Sequence, residues 1–271
     1  MTAAVHGAGW RRGERWLYGF LPIALTGILY AAMRLVQPLG VSARRVHLCD
    51  LRAGELALFG VMMNGRRVTL HDWFQAHHSP VLDVLCSIPY ATFVAVCVAF
   101  AMWLCVRDYP RMLRFGWSFL ALNLAAFATY HLYPAAPPWY FHAHGCAVDV
   151  RAPASEGPAL ARVDAMLGEP YFATVYARST AVFGAMPSLH CAYALLVAIE
   201  GWATWGRVAR GASLTFAGLM CFAAVYLDHH WVLDVVAGGA YCLVVVGAAR
   251  ALGRARAPRG GPSRWVRDAV P

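Results

Sequence analysis

The chain contains no lysine, and arginine supplies all 23 of its permanently basic side chains. Mechanisms that need a Schiff-base lysine are therefore excluded. Any side chain that grips a phosphate as a full cation has to be arginine, which binds phosphate through a bidentate fork. The arginines cluster at the ends of apolar runs, where they are typical of topology signals, so no nucleic-acid partner is expected.

Charged side chains are scarce as well. They make up 14% of the 271 residues, whereas hydrophobic residues make up 60%. A soluble domain carries roughly 25% charged residues, and its core has no room for so much apolar surface. The sequence therefore predicts an integral membrane protein. No A-x-A-like cleavage site follows the first apolar run, so a cleavable signal peptide is not expected.

Two patterns typical of metal sites are missing. The sequence has no C-x-x-C pair among its eight cysteines, which argues against a structural zinc site. No cluster of carboxylates accompanies the histidines that are described below. We therefore expect no metal and no other cofactor.

Six apolar runs have about the length that crosses a bilayer as a helix. They lie near residues 16–35, 84–105, 115–133, 186–204, 213–227 and 231–249. Because no long soluble segment separates them, they predict an all-α polytopic membrane protein with six transmembrane helices in a single domain, residues 1–252. Residues 253–271 are rich in Arg, Pro and Gly, and they predict a disordered cytoplasmic tail. A shorter run, residues 56–63, predicts a re-entrant or interfacial helix.

Arginine counts predict the orientation of these helices. If both termini lie inside, the inner segments hold fourteen arginines and the outer segments hold eight, with Arg34 at the end of the first span left out of the count. The N- and C-termini are therefore predicted to be cytoplasmic, with outer loops at about 36–80 and 134–185. The outer arginines in residues 44–67 are either ordinary loop charges or contacts to anionic lipid headgroups.

Two of the cysteines, Cys49 and Cys146, fall in hydrophilic stretches. Both belong to predicted outer loops, on the oxidising side of the membrane. We predict a disulfide between them, on the condition that the two loops meet.

Two histidine motifs stand at the edges of apolar runs. Pro187-Ser188-Leu189-His190 opens the fourth predicted helix, and His230-Trp231-Val232-Leu233-Asp234 opens the sixth. In the predicted topology both motifs lie on the extracytoplasmic side of the membrane. Ionisable residues are costly in such segments and indicate a functional site. The His-x-x-x-Asp spacing puts both side chains on one helical face, a single turn apart.

This arrangement suits a histidine that attacks a phosphoryl group. Asp234 is expected to accept a hydrogen bond from one ring nitrogen of His230, which fixes the tautomer and raises the basicity of the ring. His190 is expected to act as general acid and then as general base. The start of its helix and Ser188 are expected to donate hydrogen bonds to phosphate oxygens, with His229 beside the pair. Taken singly, each histidine also fits an interfacial, hydrogen-bonded role.

Other polar and aromatic residues leave two interpretations open. Trp139 and Tyr140 either anchor the chain at the headgroup boundary or form a wall of the substrate cleft. His131, near the outer end of the third predicted helix, either lines the site or faces water. Asn123, inside the same helix, is expected to bond one helix to another.

Longer strings around the two motifs carry a family resemblance. Gly184-Ala185-Met186-Pro187-Ser188-Leu189-His190 and Tyr226-Leu227-Asp228-His229-His230-Trp231-Val232-Leu233-Asp234 resemble the second and third signatures of the type 2 phosphatidic acid phosphatase superfamily. The paired histidines and the upstream Pro-Trp-Tyr element resemble its inositol phosphorylceramide synthase branch more closely. The resemblance implies that superfamily's six-helix bundle, catalytic roles for His190, His230 and Asp234, and transfer of a headgroup phosphate through a phosphohistidine.

The chain departs from the phosphatases of that superfamily at their phosphate clamp. Those enzymes carry K-x6-R-P before the second signature and Ser-Arg ahead of the nucleophilic histidine. This chain has no lysine, and Ala223 and Ala224 stand where Ser-Arg is expected. The departure favours the synthase branch. Arg178 is the candidate for a rebuilt clamp, and the alternative for Arg178 is a solvated loop charge.

The sequence therefore predicts a membrane lipid phosphotransferase. It is expected to move a phospho-headgroup, such as phosphoinositol, from a phospholipid donor to a lipid-alcohol acceptor such as ceramide. The first alternative is a lipid phosphate phosphatase that uses the same site with water as acceptor. The second is a non-enzymatic membrane haem or ion-path protein that uses His131, His190 and His230.

Overall fold

The computed structural model describes residues 12–36, 39–152, 159–177 and 182–256. Most of these residues belong to helices. In chain order these helices are α1 (Arg12–Val36), α2 (Cys49–Phe59), α3 (Leu70–Ala76), α4 (Pro80–Arg107), α5 (Tyr109–Leu132), α6 (Pro138–His144), α7 (Ala161–Leu167), α8 (Tyr171–Tyr176), α9 (Leu189–Gly201), α10 (Arg207–Tyr226) and α11 (Val232–Arg256). A hairpin of two short strands, β1 (Val61–Met63) and β2 (Arg66–Val68), lies between α2 and α3.

The six predicted apolar runs correspond to α1, α4, α5, α9, α10 and α11. Five of these helices are long and apolar enough to cross a membrane, and α9 is the exception. With 13 residues, α9 is about 20 Å long, which is shorter than the roughly 30 Å hydrocarbon core. It packs against α4, α5, α10 and α11, so protein rather than lipid surrounds it. The prediction of a helical multi-pass membrane protein is confirmed, but within the described residues five of the six predicted runs form helices long enough to cross a membrane.

Polar side chains set where the long helices begin. Ser79 accepts a hydrogen bond from the Leu82 amide and starts α4, with Pro80 as its first residue. Asp108 ends α4 and also accepts from the Arg111 amide, which starts α5. A single residue thus turns the chain back, so α4 and α5 pack as antiparallel neighbours.

The predicted helix over residues 56–63 is wrong in its second half. α2 ends at Phe59, and strand β1 then pairs with β2 through a turn at Asn64 and Gly65. These two residues have φ values of 51° and 76°, the left-handed pair that a two-residue Asn-Gly hairpin turn requires. The Asn-Gly dipeptide was the available signal in the sequence. The protein is therefore not strictly all-α.

A layer of short elements covers the end of the bundle where α9 and α11 begin. We call this the outer layer; it comprises residues 39–79, 133–152, 159–177 and 182–188. Three extended segments within it pair in parallel at His47, Ala135 and Gly184. The Ala135 amide donates to the Phe183 carbonyl at 2.9 Å, and the Ala185 amide donates to the Ala135 carbonyl at 3.1 Å. This pairing holds Ala185 over the start of α11.

A disulfide joins Cys49, at the start of α2, to Cys146, just after α6, with the two Cα atoms 5.7 Å apart. It ties together two segments of the outer layer, and the predicted pairing is confirmed. At the other end of the chain, α11 continues to Arg256, past the predicted boundary at Leu252. The remainder of the predicted tail, residues 257–271, lies outside the described residues.

Arginines hold the short helix α9 in place at the end that lies away from its histidine. Glu200, the next-to-last residue of α9, is buried, and Arg114 donates to its Oε2 from Nε at 2.9 Å and from Nη2 at 2.6 Å. Arg111 donates to the Glu200 carbonyl oxygen at 3.2 Å. The sequence assigned these arginines to topology alone, but they also anchor α9 to α5.

Candidate active site

The two histidine motifs meet at one end of the bundle. His190 is the second residue of α9, and His230 lies in the turn between α10 and α11. Nδ1 of His190 is 3.0 Å from Nε2 of His230, so the two rings share one hydrogen bond. The prediction that the motifs converge on one side of the membrane is consistent with this contact.

A backbone carbonyl fixes the tautomer of His230. Nδ1 of His230 lies 2.9 Å from the carbonyl oxygen of Ala185. A carbonyl oxygen only accepts, so Nδ1 carries the proton and Nε2 carries a lone pair. Nε2 therefore accepts the hydrogen bond from the Nδ1–H of His190. This leaves Nε2 of His230 as the basic, nucleophilic atom of the pair.

Asp234 lies beside His230 but does not accept its proton. Its Oδ2 is 3.7 Å from Nδ1 of His230 and accepts instead from the Trp231 amide at 2.9 Å. The predicted hydrogen bond from His230 to Asp234 is therefore wrong, since Ala185 takes that place. Asp234 is the third residue of α11, where a carboxylate caps the helix. Its Oδ1 is buried and has no hydrogen-bond partner among the described residues.

The backbone of helix α11 directly contacts the backbone at the start of α9. The Ser188 amide donates to the Asp234 carbonyl at 2.9 Å. One turn later, a Cβ on Gly238 would lie 2.3 Å from the Ser188 carbonyl oxygen, so only glycine fits there. This close approach brings His190 and His230 within hydrogen-bonding distance.

Ser188 does not have the role that the sequence suggested. Its side chain is buried, accepts from the Cys191 amide at 3.5 Å and donates to Cys191 Sγ at 3.4 Å. The hydroxyl therefore caps α9 and is not among the groups that line the cavity next to the histidines.

His229 is a neutral histidine with one free nitrogen. Its Nδ1 donates to the Leu227 carbonyl oxygen at 2.7 Å, and its Nε2 has no partner in the described structure. Burial lowers its pKa to about 4, so the ring stays uncharged at neutral pH. The ring centroids of Tyr90 and Tyr176 each lie 4.9 Å from that of His229. His229 thus presents an acceptor to whatever occupies the space beside His230.

An apolar cavity of about 510 Å³ reaches both histidines. Aromatic and aliphatic side chains form most of its wall, and α1, α4, α5, α9 and the outer layer all contribute. Its lining residues are Ile23, Thr26, Gly27, Tyr30, Phe93, Val94, Phe119, Asn123, Tyr130, Pro137, Trp139, Tyr176, Val182, Gly184, Ala185, Leu189, His190, Tyr193, His229 and His230. No arginine of the described ranges is among them. A cavity of this size and character suits hydrocarbon chains with a small polar group near the histidines.

Trp139 and Tyr140, for which the sequence left the same two interpretations open, lie in different environments. Trp139 lines the cavity, which fits the interpretation as a cleft wall. Tyr140 is fully buried in the outer layer, where its hydroxyl accepts from the Asp149 amide at 2.7 Å. Neither interpretation of Tyr140 fits this position, and it is not part of the cavity wall. Arg178, the proposed clamp, lies outside the described residues.

The surroundings of His131 and Asn123 show which role each residue has. His131 lies against Gly40, where a Cβ would come within 2.3 Å of its ring, and it is absent from the cavity wall. Asn123 accepts a short hydrogen bond from the Tyr193 hydroxyl, which links α5 to α9 as predicted. Both members of this polar pair line the cavity.

Glu55, Asp72 and His142 near the site were missed by the sequence interpretation. Glu55 of α2 is buried and accepts from the Leu233 amide at 2.8 Å, which caps α11 from the outer layer. His142, Asp72 and Asp228 form a second cluster behind the turn that carries His230. Partners separated by 70 to 178 positions share no local pattern, so no sequence signal pointed to them.

The haem alternative is not supported by this geometry. His190 and His230 are joined directly at 3.0 Å, which leaves no space for an iron between them, and His131 is elsewhere. Across the part of the chain that the structure describes, no group of three or more His, Cys, Asp or Glu side chains is arranged to hold a metal ion.

Comparison with known proteins decides the family. A family model described as the PAP2 superfamily matches residues 63–248, which include both histidine motifs. The chain belongs to this superfamily. It is similar to a phosphoinositol dihydroceramide synthase of Bacteroides thetaiotaomicron, with 38% identity over 80% of this chain and 71% of that protein.

Two fungal relatives point to the same branch of the PAP2 superfamily. They are the inositol phosphorylceramide synthase of Candida albicans, 30% identical over 61% of this chain, and the catalytic subunit AUR1 of that synthase from Saccharomyces cerevisiae, 28% identical over 65%. The chain spans 35% and 44% of the lengths of these two proteins. No solved structure gives a significant match. The predicted family is confirmed, as is the prediction that the protein is an enzyme.

Proposed function

We propose that this membrane enzyme moves a phospho-headgroup, such as phosphoinositol, from a glycerophospholipid to ceramide or a similar lipid alcohol. The observation that carries the proposal is the pairing of a nucleophilic His230 Nε2 with His190 at the wall of an apolar cavity. The relatives named as phosphoinositol dihydroceramide and inositol phosphorylceramide synthases support the same chemistry.

In the first half-reaction, the donor phosphate enters between the two rings and replaces their hydrogen bond. Nε2 of His230 attacks phosphorus, and the bond from phosphorus to the diacylglycerol oxygen breaks. His190, as an imidazolium favoured by the phosphate anion, gives a proton to that oxygen. Diacylglycerol leaves, and the headgroup phosphate remains on Nε2. The buried carboxylate of Asp234 stabilises the positive charge that forms on the ring of His230.

In the second half-reaction, the hydroxyl of the acceptor lipid gives its proton to the now neutral His190 and attacks phosphorus. The bond between phosphorus and Nε2 of His230 then breaks, and His230 regains its lone pair. Trp139 and the aromatic residues of the cavity hold the lipid close to the histidines and limit the entry of water. A lipid hydroxyl therefore competes successfully with water for the phosphohistidine.

The charge of the site favours a phosphodiester over a phosphomonoester. A monoester carries nearly two negative charges at neutral pH, whereas the diester of an intact phospholipid carries one. No described arginine lines the cavity, so a terminal phosphate has little to neutralise it. Arg178 stays the proposed cation for the single charge of the diester. Phosphatidic acid is therefore expected to be a poor substrate.

A transfer assay tests the proposal against its phosphatase alternative. The purified protein is incubated with headgroup-labelled phosphatidylinositol, with and without ceramide, and separately with labelled phosphatidic acid. We expect faster release of diacylglycerol when ceramide is present, and recovery of the label on ceramide. Rapid release of inorganic phosphate from phosphatidic acid, with no transfer to any lipid alcohol, would establish the phosphatase instead.

A further inference from the structure

His142 of α6 stands between two carboxylates behind the nucleophile. Its Nδ1 is 2.7 Å from Oδ2 of Asp228, and its Nε2 is 3.0 Å from Oδ1 of Asp72. Ionised carboxylates only accept hydrogen bonds, so both ring nitrogens donate and the ring is a cation. Burial by itself lowers the pKa of His142, but the bonds to Asp228 and Asp72 outweigh it and raise the pKa to about 9. The imidazolium is therefore the stable form at neutral pH.

One end of this bridge is firmly anchored in the outer layer. Asp72 accepts from the amide and the hydroxyl of Thr69 at 2.9 and 2.8 Å, and so caps α3. Arg52 of α2 donates to the same carboxylate at 3.2 Å. The Arg52 guanidinium also lies 4.4 Å from the ring of Phe141, the neighbour of His142. These contacts hold Asp72, and through it His142, in a fixed position.

The other end of the bridge controls the turn that carries the nucleophile. Asp228 has a φ of 65°, a left-handed conformation that a residue with a side chain adopts only when its surroundings hold it. Its carbonyl accepts from the Trp139 amide at 3.1 Å. The next two amides, of His229 and His230, both donate to the Ala224 carbonyl at 3.1 and 3.0 Å. The backbone at Asp228 thus sets the direction in which His230 leaves the turn.

We propose that His142 is a positioning residue: as a cation between Asp72 and Asp228, it locks the turn before His230 and so aims Nε2 of His230 at the substrate phosphate. The inference rests on the proposed role of His230 as nucleophile. His142 itself does not line the cavity. It acts through Asp228, and it links the orientation of the nucleophile to the outer layer.

Among the charged groups around His142, it is the proton of His142 itself that is lost as the pH rises. Asp72 faces it from α3, Asp228 from the turn, and Arg52 reaches Asp72 from α2. His71 of α3 is buried with Nδ1 3.4 Å from Asp228 Oδ1. Both carboxylates have pKa values below the usual range, because their hydrogen bonds to His142 and other donors outweigh the effect of burial. They remain ionised when His142 loses its proton, and the bridge then loses one donor.

The test compares three variants of the full-length protein in the phospholipid-to-ceramide assay between pH 6 and 10. His142→Gln removes the cation, and Asp72→Asn removes one of its two carboxylates. His144→Gln is the matched control, because His144 lies on the same short helix and contacts only Tyr140 among the ring contacts described. Rates are divided by the folded fraction, and thermal unfolding is measured in parallel.

We expect His142→Gln to lower kcat by about 10- to 100-fold, the range for a misdirected reacting group, with little change in KM. The wild-type rate should fall as the pH rises through about 9. This alkaline limb should disappear in His142→Gln and move to lower pH in Asp72→Asn, while His144→Gln keeps the wild-type profile.

A purely structural bridge gives a different result. If His142→Gln lowers only the unfolding temperature, and kcat and the alkaline limb stay as in wild type, the inference is wrong. An unmoved alkaline limb in Asp72→Asn also overturns it. His230→Ala is run alongside to separate the two claims. An active His230→Ala protein removes the proposed function and this inference together, whereas an inactive one with a normal His142→Gln removes only the inference.

Discussion

At the scale of single residues, two neighbours of His230 have different roles. The Ala185 carbonyl holds the Nδ1 proton at 2.9 Å, whereas the Asp234 carboxylate remains 3.7 Å away with one oxygen unpaired. The carbonyl thus selects the tautomer, and the carboxylate is left to stabilise charge. In the proposed mechanism, Nε2 of His230 binds a phosphoryl group, the ring becomes positive, and the nearby carboxylate stabilises that charge.

Asp234→Asn tests that division. The asparagine oxygen can still accept from the Trp231 amide, so the start of α11 should form as before. Because the negative charge is gone, we expect kcat to fall on the order of 10²- to 10³-fold, as for other preorganised charge-stabilising groups. Circular dichroism and thermal unfolding check the fold. A folded variant that turns over at nearly the wild-type rate would remove charge stabilisation from the mechanism.

His142 makes the stability of the fold depend on pH. Its pKa is raised to about 9 in the folded protein, against about 6.5 for an ordinary histidine. A raised pKa means that the stabilisation is fully present below about pH 6.5 and is lost as the pH rises through about 9. We expect the unfolding temperature to fall over this window in wild type and less in His142→Gln. Equal pH slopes for the two proteins would contradict the assigned charge of His142.

Single-residue predictions from the sequence succeeded where a motif fixed the geometry. The spacing of His230 and Asp234 and the string ahead of His190 predicted that these residues lie close together, and they do. The hydrogen bond from His230 nevertheless goes to Ala185. Ser188 and Tyr140 were misassigned because their hydroxyls found backbone partners at Cys191 and Asp149. The Ser188 bond is an N-cap at the start of α9, a role that a serine before an apolar run can signal. The Tyr140 bond depends on how the segments of the outer layer fold together.

At the scale of elements, the site depends on how closely α11 approaches α9. Gly238 lies against the Ser188 carbonyl, one turn after the Asp234 carbonyl that accepts from the Ser188 amide. The backbone of α9 cannot move away from α11 without changing the distance between His190 and His230. The short length of α9 and its Glu200 anchor fix the helix from its other end.

Gly238→Ala tests this approach, with Gly239→Ala as its matched control. A Cβ at 238 would lie 2.3 Å from a backbone oxygen, whereas a Cβ at 239 would lie 3.6 Å from a Leu195 methyl group, an ordinary contact. We expect Gly238→Ala to cost about 1–3 kcal/mol of stability, the usual cost of overpacking. The transfer rate of its folded fraction should fall about tenfold or more. Wild-type turnover in Gly238→Ala, or equal losses in both variants, would contradict this account.

The elements themselves were predictable to different degrees. Hydrophobic runs in the sequence predicted α1, α4, α5, α9, α10 and α11. Each of these helices is apolar because it either packs in the protein interior or crosses the membrane. The runs did not reveal that α9 has only 13 residues and ends at Gly201, because the predicted apolar run continues to residue 204. The outer layer was harder to predict, because its short segments are held by backbone pairing between residues 49 and 88 positions apart and by a disulfide.

At the scale of the whole molecule, the arginine distribution predicts the orientation in the membrane. His190, His230 and the outer layer lie at one end of the helix bundle, and Glu200 with its arginine partners lies at the other end. The disulfide of Cys49 and Cys146 belongs to the end with the histidines. We therefore propose that the site faces the extracytoplasmic side, where oxidation of thiols occurs.

Impermeant thiol labelling tests this orientation. Single cysteines are placed at Arg66, exposed in the hairpin of the outer layer, and at Arg254, exposed near the end of α11. The six free cysteines are first replaced. In intact cells, the Arg66→Cys protein should react and the Arg254→Cys protein should react only after permeabilisation. The opposite pattern would invert the orientation and place the chemistry in the cytoplasm.

The most direct test of the central claim is the trapping of a phosphohistidine. Protein is mixed with phosphatidylinositol labelled in the inositol, without acceptor, and quenched under alkaline conditions that preserve phosphohistidine. We expect acid-labile label on His230 of the wild-type protein, none on His230→Ala, and transfer of the label to ceramide when ceramide is added. Label that stays on the enzyme after ceramide is added, or a folded His230→Ala protein that still transfers the headgroup, would contradict the account.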